Sequence, residues 1–184
     1  MNDLTLTMKG MQRAMRSYIL SLYEIIFESK PEFALEIGTG QCQSTRTILS
    51  ALNENKKGRL VSVDVGQRTG RIPEILLPYF TQIVGDSHDV KTLEEVQRIS
   101  PIYDFLFIDG DHSYAGVKKD FEMYVPLVKE RGLILMHDII NKDAGVKEFW
   151  KEIKYPKISL DYGAAANGIV PGMGIVQVIN KPEL

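Results

Sequence analysis

The sequence predicts a doubly wound α/β domain whose sheet is mostly parallel and ends in a hairpin. Three observations carry this. Short apolar runs alternate with helix-like segments along most of the chain, and glycines, carboxylates and imidazoles cluster just beyond the ends of those runs. The length, 184 residues with a single cysteine, is that of one domain, with residues 1–30 supplying an N-terminal helix and 31–184 the α/β core. Strands that are apolar on both faces are expected where helices cover both sides of a parallel sheet.

The first element is a helix from about Met8 to Ser29, with Met11, Met15, Tyr18, Ile19, Leu22, Ile25 and Ile26 recurring at helical spacing. Lys30-Pro31 stops it, because a residue before proline is biased away from the helical region. Strands follow at Phe33–Ile37, Leu60–Val65, Thr81–Val84, Tyr103–Ile108 and Leu133–Met136. Helices are expected between them near Ser44–Asn53, Val90–Ile99, Tyr114–Val128 and Ala144–Ile153. Lys157–Tyr162 and Gly174–Asn180 have no helix between them and read as an antiparallel hairpin closing the sheet edge. A long loop containing Gly163, Asn167, Gly168, Pro171 and Gly172 joins them.

Composition narrows the function. The chain is 44% hydrophobic and 25% charged, as in a globular protein and unlike a disordered one. A balance of 22 basic against 24 acidic residues gives no footprint for nucleic acid or an acidic membrane. Cys42 alone can form no intrachain disulfide. The longest apolar run, Gly132–Met136, is too short to span a bilayer, and no apolar h-region follows the N-terminus. The expectation is a cytoplasmic protein acting on small molecules.

In doubly wound sheets ligands bind outside the carboxyl ends of the strands, so the residues there carry the argument. After the first strand stands Glu36-Ile37-Gly38-Thr39-Gly40-Gln41-Cys42, a glycine turn that lets backbone approach a ligand at a helix N-terminus. Asp64 ends the second strand, 24 residues beyond Gly40, where an acidic residue commonly accepts from a ribose diol. Gln43 stands where a dinucleotide fingerprint needs its third glycine, and Glu36 would repel a pyrophosphate but receive an amino group. An adenosine bearing an amino acid fits better. After the third strand, Asp86 and Ser87 can bond an adenine edge, or Ser87 or Asp89 can cap the next helix; His88 reads as a surface residue. Asp109, Asp111 and His112 follow the fourth strand, and His137-Asp138 ends the fifth. Such groups are costly to bury unless paired or ligating, so together they read as a polar reaction centre. Oxygen donors there suit Mg²⁺, and histidine admits Mn²⁺ or Zn²⁺.

Together these residues resemble the class I S-adenosylmethionine-dependent methyltransferases over about residues 32–180. The run Ile-Asp-Gly-Asp-His-Ser-Tyr at 108–114, with the later His137-Asp138, is similar to the branch containing macrocin-type and rhamnosyl O-methyltransferases and the cephalosporin-hydroxylase-like proteins. The resemblance implies a Rossmann-like sheet of about seven strands with an antiparallel last strand. It places S-adenosylmethionine with its methionine moiety on Gly38 and Gly40, its amino-acid end at Glu36, its ribose at Asp64 and its adenine at Asp86 and Ser87, with Asp109 also beside it. It implies a divalent cation, Mg²⁺ or Mn²⁺, on Asp109, His137 and Asp138, and His112 as the base. Two positions depart from the pattern: Cys42 replaces a third glycine, and His137 stands where catechol-type relatives often carry an acid.

The reaction so implied is methyl transfer to a hydroxyl of a sugar or other natural-product small molecule. A cation held by Asp109 and Asp138 would lower the pKa of the alcohol and His112 would take the proton; without a metal, His112 or Asp111 acts alone. Only the first helix and the loop Gly163–Gly172 are left to shape an acceptor pocket, with Tyr162, Asn167 and Met173 as lining candidates. That leaves an open acceptor site, or one completed by the second subunit of a homodimer, with the first helix packing on its own sheet or on a partner. Three other readings compete. An NAD-dependent oxidoreductase needs the missing glycine, a non-catalytic S-adenosylmethionine-binding protein gives the polar cluster no reason to converge, and a metal-dependent hydrolase leaves Glu36 and Asp64 without a role.

Overall fold

The computed structural model describes residues 13–141, 144–161 and 172–179. The first turn of the expected N-terminal helix, Tyr162 and Asn167 lie outside the described residues. Helix α1 (Arg13–Ser29) leads into β1 (Phe33–Ile37), α2 (Gln43–Asn55) and β2 (Arg59–Asp64). Two 3₁₀ turns, Thr69–Arg71 and Glu74–Tyr79, precede β3 (Phe80–Val84), α3 (Val90–Ile99) and β4 (Tyr103–Ile108). Then come α4 (Tyr114–Tyr124), β5 (Val128–His137), α5 (Val146–Glu152), β6 (Lys157–Leu160) and β7 (Met173–Gln177).

The seven strands form one sheet in the order β3-β2-β1-β4-β5-β7-β6. β7 alone is antiparallel to its neighbours, β5 and β6. The chain runs outward through β1, β2 and β3 and returns to lay β4 beside β1, which creates a topological switch point between those two strands. Register aligns the strand ends there: Ile37 pairs with both Val63 and Ile108, and Ile108 with Met136.

Both faces are covered, which is why the central strands are largely apolar. Tyr18, Leu22 and Ile26 of α1 and Ile48, Leu49 and Leu52 of α2 fill one side. Val96 of α3, Val117 and Phe121 of α4 and Phe149 and Trp150 of α5 fill the other. The apolar face of α1 therefore packs within its own chain. Among the described residues no helix is long and apolar enough to cross a membrane.

Several boundaries differ from expectation for physical reasons. Helix α4 stops at Tyr124 and passes into a 3₁₀ turn, Val125–Leu127, because Pro126 has no N–H to continue the α-helical ladder. β5 begins five residues early, at Val128, since the charged Lys129-Glu130-Arg131 stretch is exposed and carries no apolar signal. A register shift beside Tyr103 accommodates it.

Candidate active site

The glycine turn after β1 is built by contact with the end of β4. Gly38 has φ +91°, and a Cβ added there would lie 2.2 Å from the Asp109 carbonyl oxygen, so only glycine fits. Gly38 N donates to Val63 O at 2.9 Å and Asp109 N to Ile37 O at 2.9 Å, which locks the three strand ends together. Gly40, with φ +48°, has open space where its Cβ would be.

Asp64 holds this turn from the side. Its Oδ2 accepts from Thr39 N at 3.1 Å and Gly40 N at 2.9 Å, and its Oδ1 accepts from Gly66 N at 2.7 Å, with the Arg68 guanidinium 3.4 Å away. A carboxylate has about four acceptor sites, so roughly one is left for a ligand hydroxyl.

Glu36 is placed differently from the sequence reading, which put it against a ligand amino group. It is fully buried behind the turn, and Ser44 Oγ, Thr45 Oγ1 and Ser62 Oγ donate to it at 2.6, 2.7 and 2.5 Å. Burial pushes its carboxyl up to about 7, against the pull of those three hydroxyls. Glu36 thus braces α2 and β2 beneath the turn and lines neither adjoining cavity.

A cavity of about 410 Å³ runs across the strand ends from Gly38 and Asp109, past Asp64, to Gly85, Asp86, Ser87 and His88. Val65, three-quarters exposed, gives it an apolar wall suited to a flat ring. Asp89 caps α3 by accepting from Lys91 N, while Asp86, whose Oδ1 accepts from His88 N at 2.8 Å, and Ser87 line the cavity. His88 is not a surface residue: it lines the cavity, and its Nε2 lies 3.1 Å from the buried Asp120. A second cavity of about 280 Å³ is lined by Gln41, Gln43, Ser44, His112 and His137. The two cavities share Gly38, Gly40 and Asp109 as a common wall.

At that wall the predicted polar centre assembles. Asp109 Oδ1 sits 3.1 Å from both His112 Nε2 and His137 Nδ1, while His112 Nδ1 lies 3.1 Å from Asp138 Oδ2. Asp138 adopts a left-handed backbone, φ +62°, that returns its carboxylate toward His112. Burial alone would raise the Asp109 carboxyl, but the charge of His137 and the hydrogen bonds from His112 and His137 outweigh it and hold it at about 2. Hydrogen bonds to Asp109 and Asp138 lift His112 to about 10. Both its ring nitrogens face carboxylates, so His112 is an imidazolium at neutral pH and holds the proton that the sequence reading had it accept. His137 is also raised, Asp109 overcoming its burial.

Asp111 does not join this cluster: its Oδ1 accepts from Ser113 N, and its carboxyl group packs where a Gly116 Cβ would stand. Tyr18 of α1, which the sequence marked only as an apolar-face position, has its ring 4.6 Å from that of His137. Met173 is buried in the core and lines neither cavity.

The trio Asp109, His137 and Asp138 does not fit a divalent cation as placed. Among the described residues no group of three or more histidine, cysteine, aspartate or glutamate side chains is arranged to hold one. The donors face one another instead, and two carboxylates are already matched by two imidazoles. No step below passes through a metal.

A doubly wound sheet with a glycine turn at its switch point, and one cavity on each side of that turn, is the class of fold that seats a ligand beyond the carboxyl ends of its strands. The model of the Methyltransf_24 family, a methyltransferase domain, matches residues 35–139, more than half the chain, and the chain belongs to this family. Its fold is similar to that of the O-methyltransferase TomG from Streptomyces achromogenes, solved with S-adenosylmethionine: TM-score 0.71, 18% identity, covering 88% of this chain and 79% of that one. An O-methyltransferase from Bacillus cereus solved with S-adenosylhomocysteine matches at TM-score 0.66 and 17% identity, over 87% and 80% of the two chains. MycE, a methyltransferase of the mycinamycin pathway solved with Mg, S-adenosylhomocysteine and mycinamycin VI, matches at 0.56 and 21%, over 66% of this chain and 34% of that one. At these identities the likeness is one of fold. A curated relative from Sinorhizobium fredii, uncharacterized protein y4gI, is 30% identical over 98 residues, which span 52% of this chain and 10% of that protein.

Proposed function

We propose that this chain transfers the methyl group of S-adenosylmethionine to a hydroxyl of a small polyhydroxylated acceptor, such as a sugar. The observation that carries the proposal is the shared wall: cofactor and acceptor cavities meet at Gly38, Gly40 and Asp109, where a methyl group can pass between them. The amide and hydroxyl lining of the second cavity, with Gln41, Gln43 and Ser44, suits a polar acceptor, and the likeness of residues 108–114 to sugar O-methyltransferases supports the same class.

In this reading the larger cavity takes the cofactor, with one ribose hydroxyl on Asp64, adenine beside Val65, Asp86 and Ser87, and the sulfonium near Asp109. The acceptor oxygen attacks the methyl carbon in line. The carbon–sulfur bond breaks with its electron pair passing to sulfur, the carbon–oxygen bond forms, and S-adenosylhomocysteine remains. Holding the two reactants in line accounts for much of the rate. The hydroxyl proton passes to His112, which is half-exposed and must first release its own proton to solvent. The arriving sulfonium supplies the reason: a positive charge beside an imidazolium disfavours the protonated ring. The cofactor thereby prepares its own base.

Calorimetric titration with S-adenosylmethionine and S-adenosylhomocysteine, in two buffers of different ionisation enthalpy, tests this. Both ligands bind, and the charged one releases more protons. Failure of either to bind overturns the proposal; equal proton release removes His112 as the base.

A further inference from the structure

Three guanidinium groups gather on the flank of the glycine turn, and none of them takes part in the transfer described above. Arg46 stands at the start of α2, and its Nε donates to Cys42 O at 3.1 Å. Arg68 and Arg71 follow β2, and Arg71 donates to the side chain of Gln41. Burial and the Glu36 charge lift the Cys42 thiol to about 11 against the pull of Arg46, Arg71 and Arg68, so all three lie around one side chain. The segment bearing two of them is held from β3. Gln82 Oε1 accepts from Arg68 N at 2.8 Å and Thr69 N at 3.1 Å, and Gln82 Nε2 donates to Gly66 O at 2.7 Å. Arg71 N donates to Arg68 O at 2.9 Å, which fixes the second arginine to the first.

One carboxylate answers this cluster. Arg68 lies 3.4 Å from Asp64, yet its Nε is buried without a hydrogen-bond partner. Among the described residues Arg46 and Arg71 make no ion pair, so three cations against one carboxylate leave two positive charges unmatched. Gln41 connects them to the acceptor side: it is exposed, accepts from Arg71 and lines the second cavity. Within that cavity His112 and His137 are already matched by Asp109 and Asp138. The excess charge beside the acceptor is thus positive, and the sulfonium of the cofactor adds to it. Guanidinium forks suit phosphate oxygens, and a phosphate monoester carries about −1.5 to −2 at neutral pH, which matches two cations.

We infer that Arg46 and Arg71 form an anion subsite beside the acceptor cavity, and that the acceptor is a phosphorylated sugar or polyol whose phosphate rests on them while its hydroxyl meets the methyl group. A phosphoryl transfer to a sugar hydroxyl must then supply this substrate. The inference rests on the cofactor reading above. The test is calorimetric titration of the full chain, saturated with S-adenosylhomocysteine, with glucose 6-phosphate, glucuronate and glucose. Glucose 6-phosphate binds at least about tenfold more tightly than glucose, the worth of charge-assisted hydrogen bonds to one group, and glucuronate falls between them. Arg46→Gln with Arg71→Gln reduces that advantage to about threefold or less, while affinity for S-adenosylhomocysteine stays within about threefold. Arg71 is exposed, so Arg71→Gln decides alone should the double variant fail to fold. No binding of S-adenosylhomocysteine by the unaltered protein overturns the methyltransferase proposal. With that ligand bound, glucose 6-phosphate binding no better than glucose, or an advantage that the variants leave intact, overturns this inference only. Tighter binding of glucuronate than of glucose 6-phosphate removes the phosphate and with it the inference.

Discussion

Replacing Glu36 with glutamine converts a buried, titrating brace into a neutral one of the same shape. The native carboxyl is raised from about 4.5 to about 7 by burial. A folded-state pKa above the unfolded value means that the group's contribution is fully present below about pH 4.5 and is lost as pH rises through about 7. One pKa unit corresponds to about 1.4 kcal/mol, and most of the shift falls between pH 5 and 8, so Glu36 alone takes about 2–3 kcal/mol from the native protein across that window. The three hydroxyls of Ser44, Thr45 and Ser62 can rotate to accept from the glutamine amide as well as donate to its oxygen. Denaturant unfolding of both proteins at pH 5, 6, 7 and 8 reads the difference directly. Glu36→Gln gains on the native protein by about 2–3 kcal/mol between pH 5 and 8, equivalent to roughly 4–12 °C in melting temperature for a chain of this size. Asp109, held at about 2, loses its contribution below pH 4 and lies outside the window, and the raised His112 and His137 lose theirs in both proteins alike, so they cancel in the difference. A stability difference that does not change with pH would show that Glu36 is not the buried titrating group described.

Three further outcomes are expected. His112→Asn lowers turnover by about 10²-fold or more, the usual contribution of a positioned base, while S-adenosylhomocysteine binding stays within about threefold; steady-state kinetics and calorimetry separate the two. Gly38→Ala drives a methyl group into the Asp109 carbonyl at a positive φ, so it destabilises by more than about 2 kcal/mol and lowers cofactor affinity, read by thermal unfolding and titration. Exhaustive chelation leaves turnover and melting temperature unchanged, because the Asp109, His112, His137 and Asp138 charges are matched within the protein; restoration of lost activity by added Mg²⁺ would refute this.

What the sequence made legible was local. Apolar runs of strand length, the glycine turn and the clustering of Asp109, His112, His137 and Asp138 beyond strand ends are each read within a few consecutive residues, and the sheet brings those groups together as expected. What it hid depends on partners distant in the chain. Glu36 looks like a ligand carboxylate until hydroxyls from α2 and β2 are seen to close over it. Asp64 is apparently free until three backbone amides claim it. His112 reads as a neutral base because its protonation is set by carboxylates following two different strands. His88 and Asp120 carry no local signal at all: on α4 an aspartate facing inward interrupts the apolar stripe only in three dimensions. Hydroxyl-bearing residues at the start of α2 were the one available hint, since Ser44 and Thr45 follow the acid by eight and nine residues, just across the glycine turn.

The place of β7 in the sheet has a consequence for how the protein is made. Among the seven strands it is synthesised last, yet it lies between β5 and β6 rather than at an edge. Until the ribosome has delivered Gln177, β6 has no neighbour and β5 keeps one side of its hydrogen-bonding ladder bare, including the half that ends in His137. A nascent chain stalled or cleaved before that point presents an apolar, unpaired edge, the feature most prone to pair with another molecule. Folding yield, more than equilibrium stability, will therefore be sensitive to slow translation between Lys157 and Gln177.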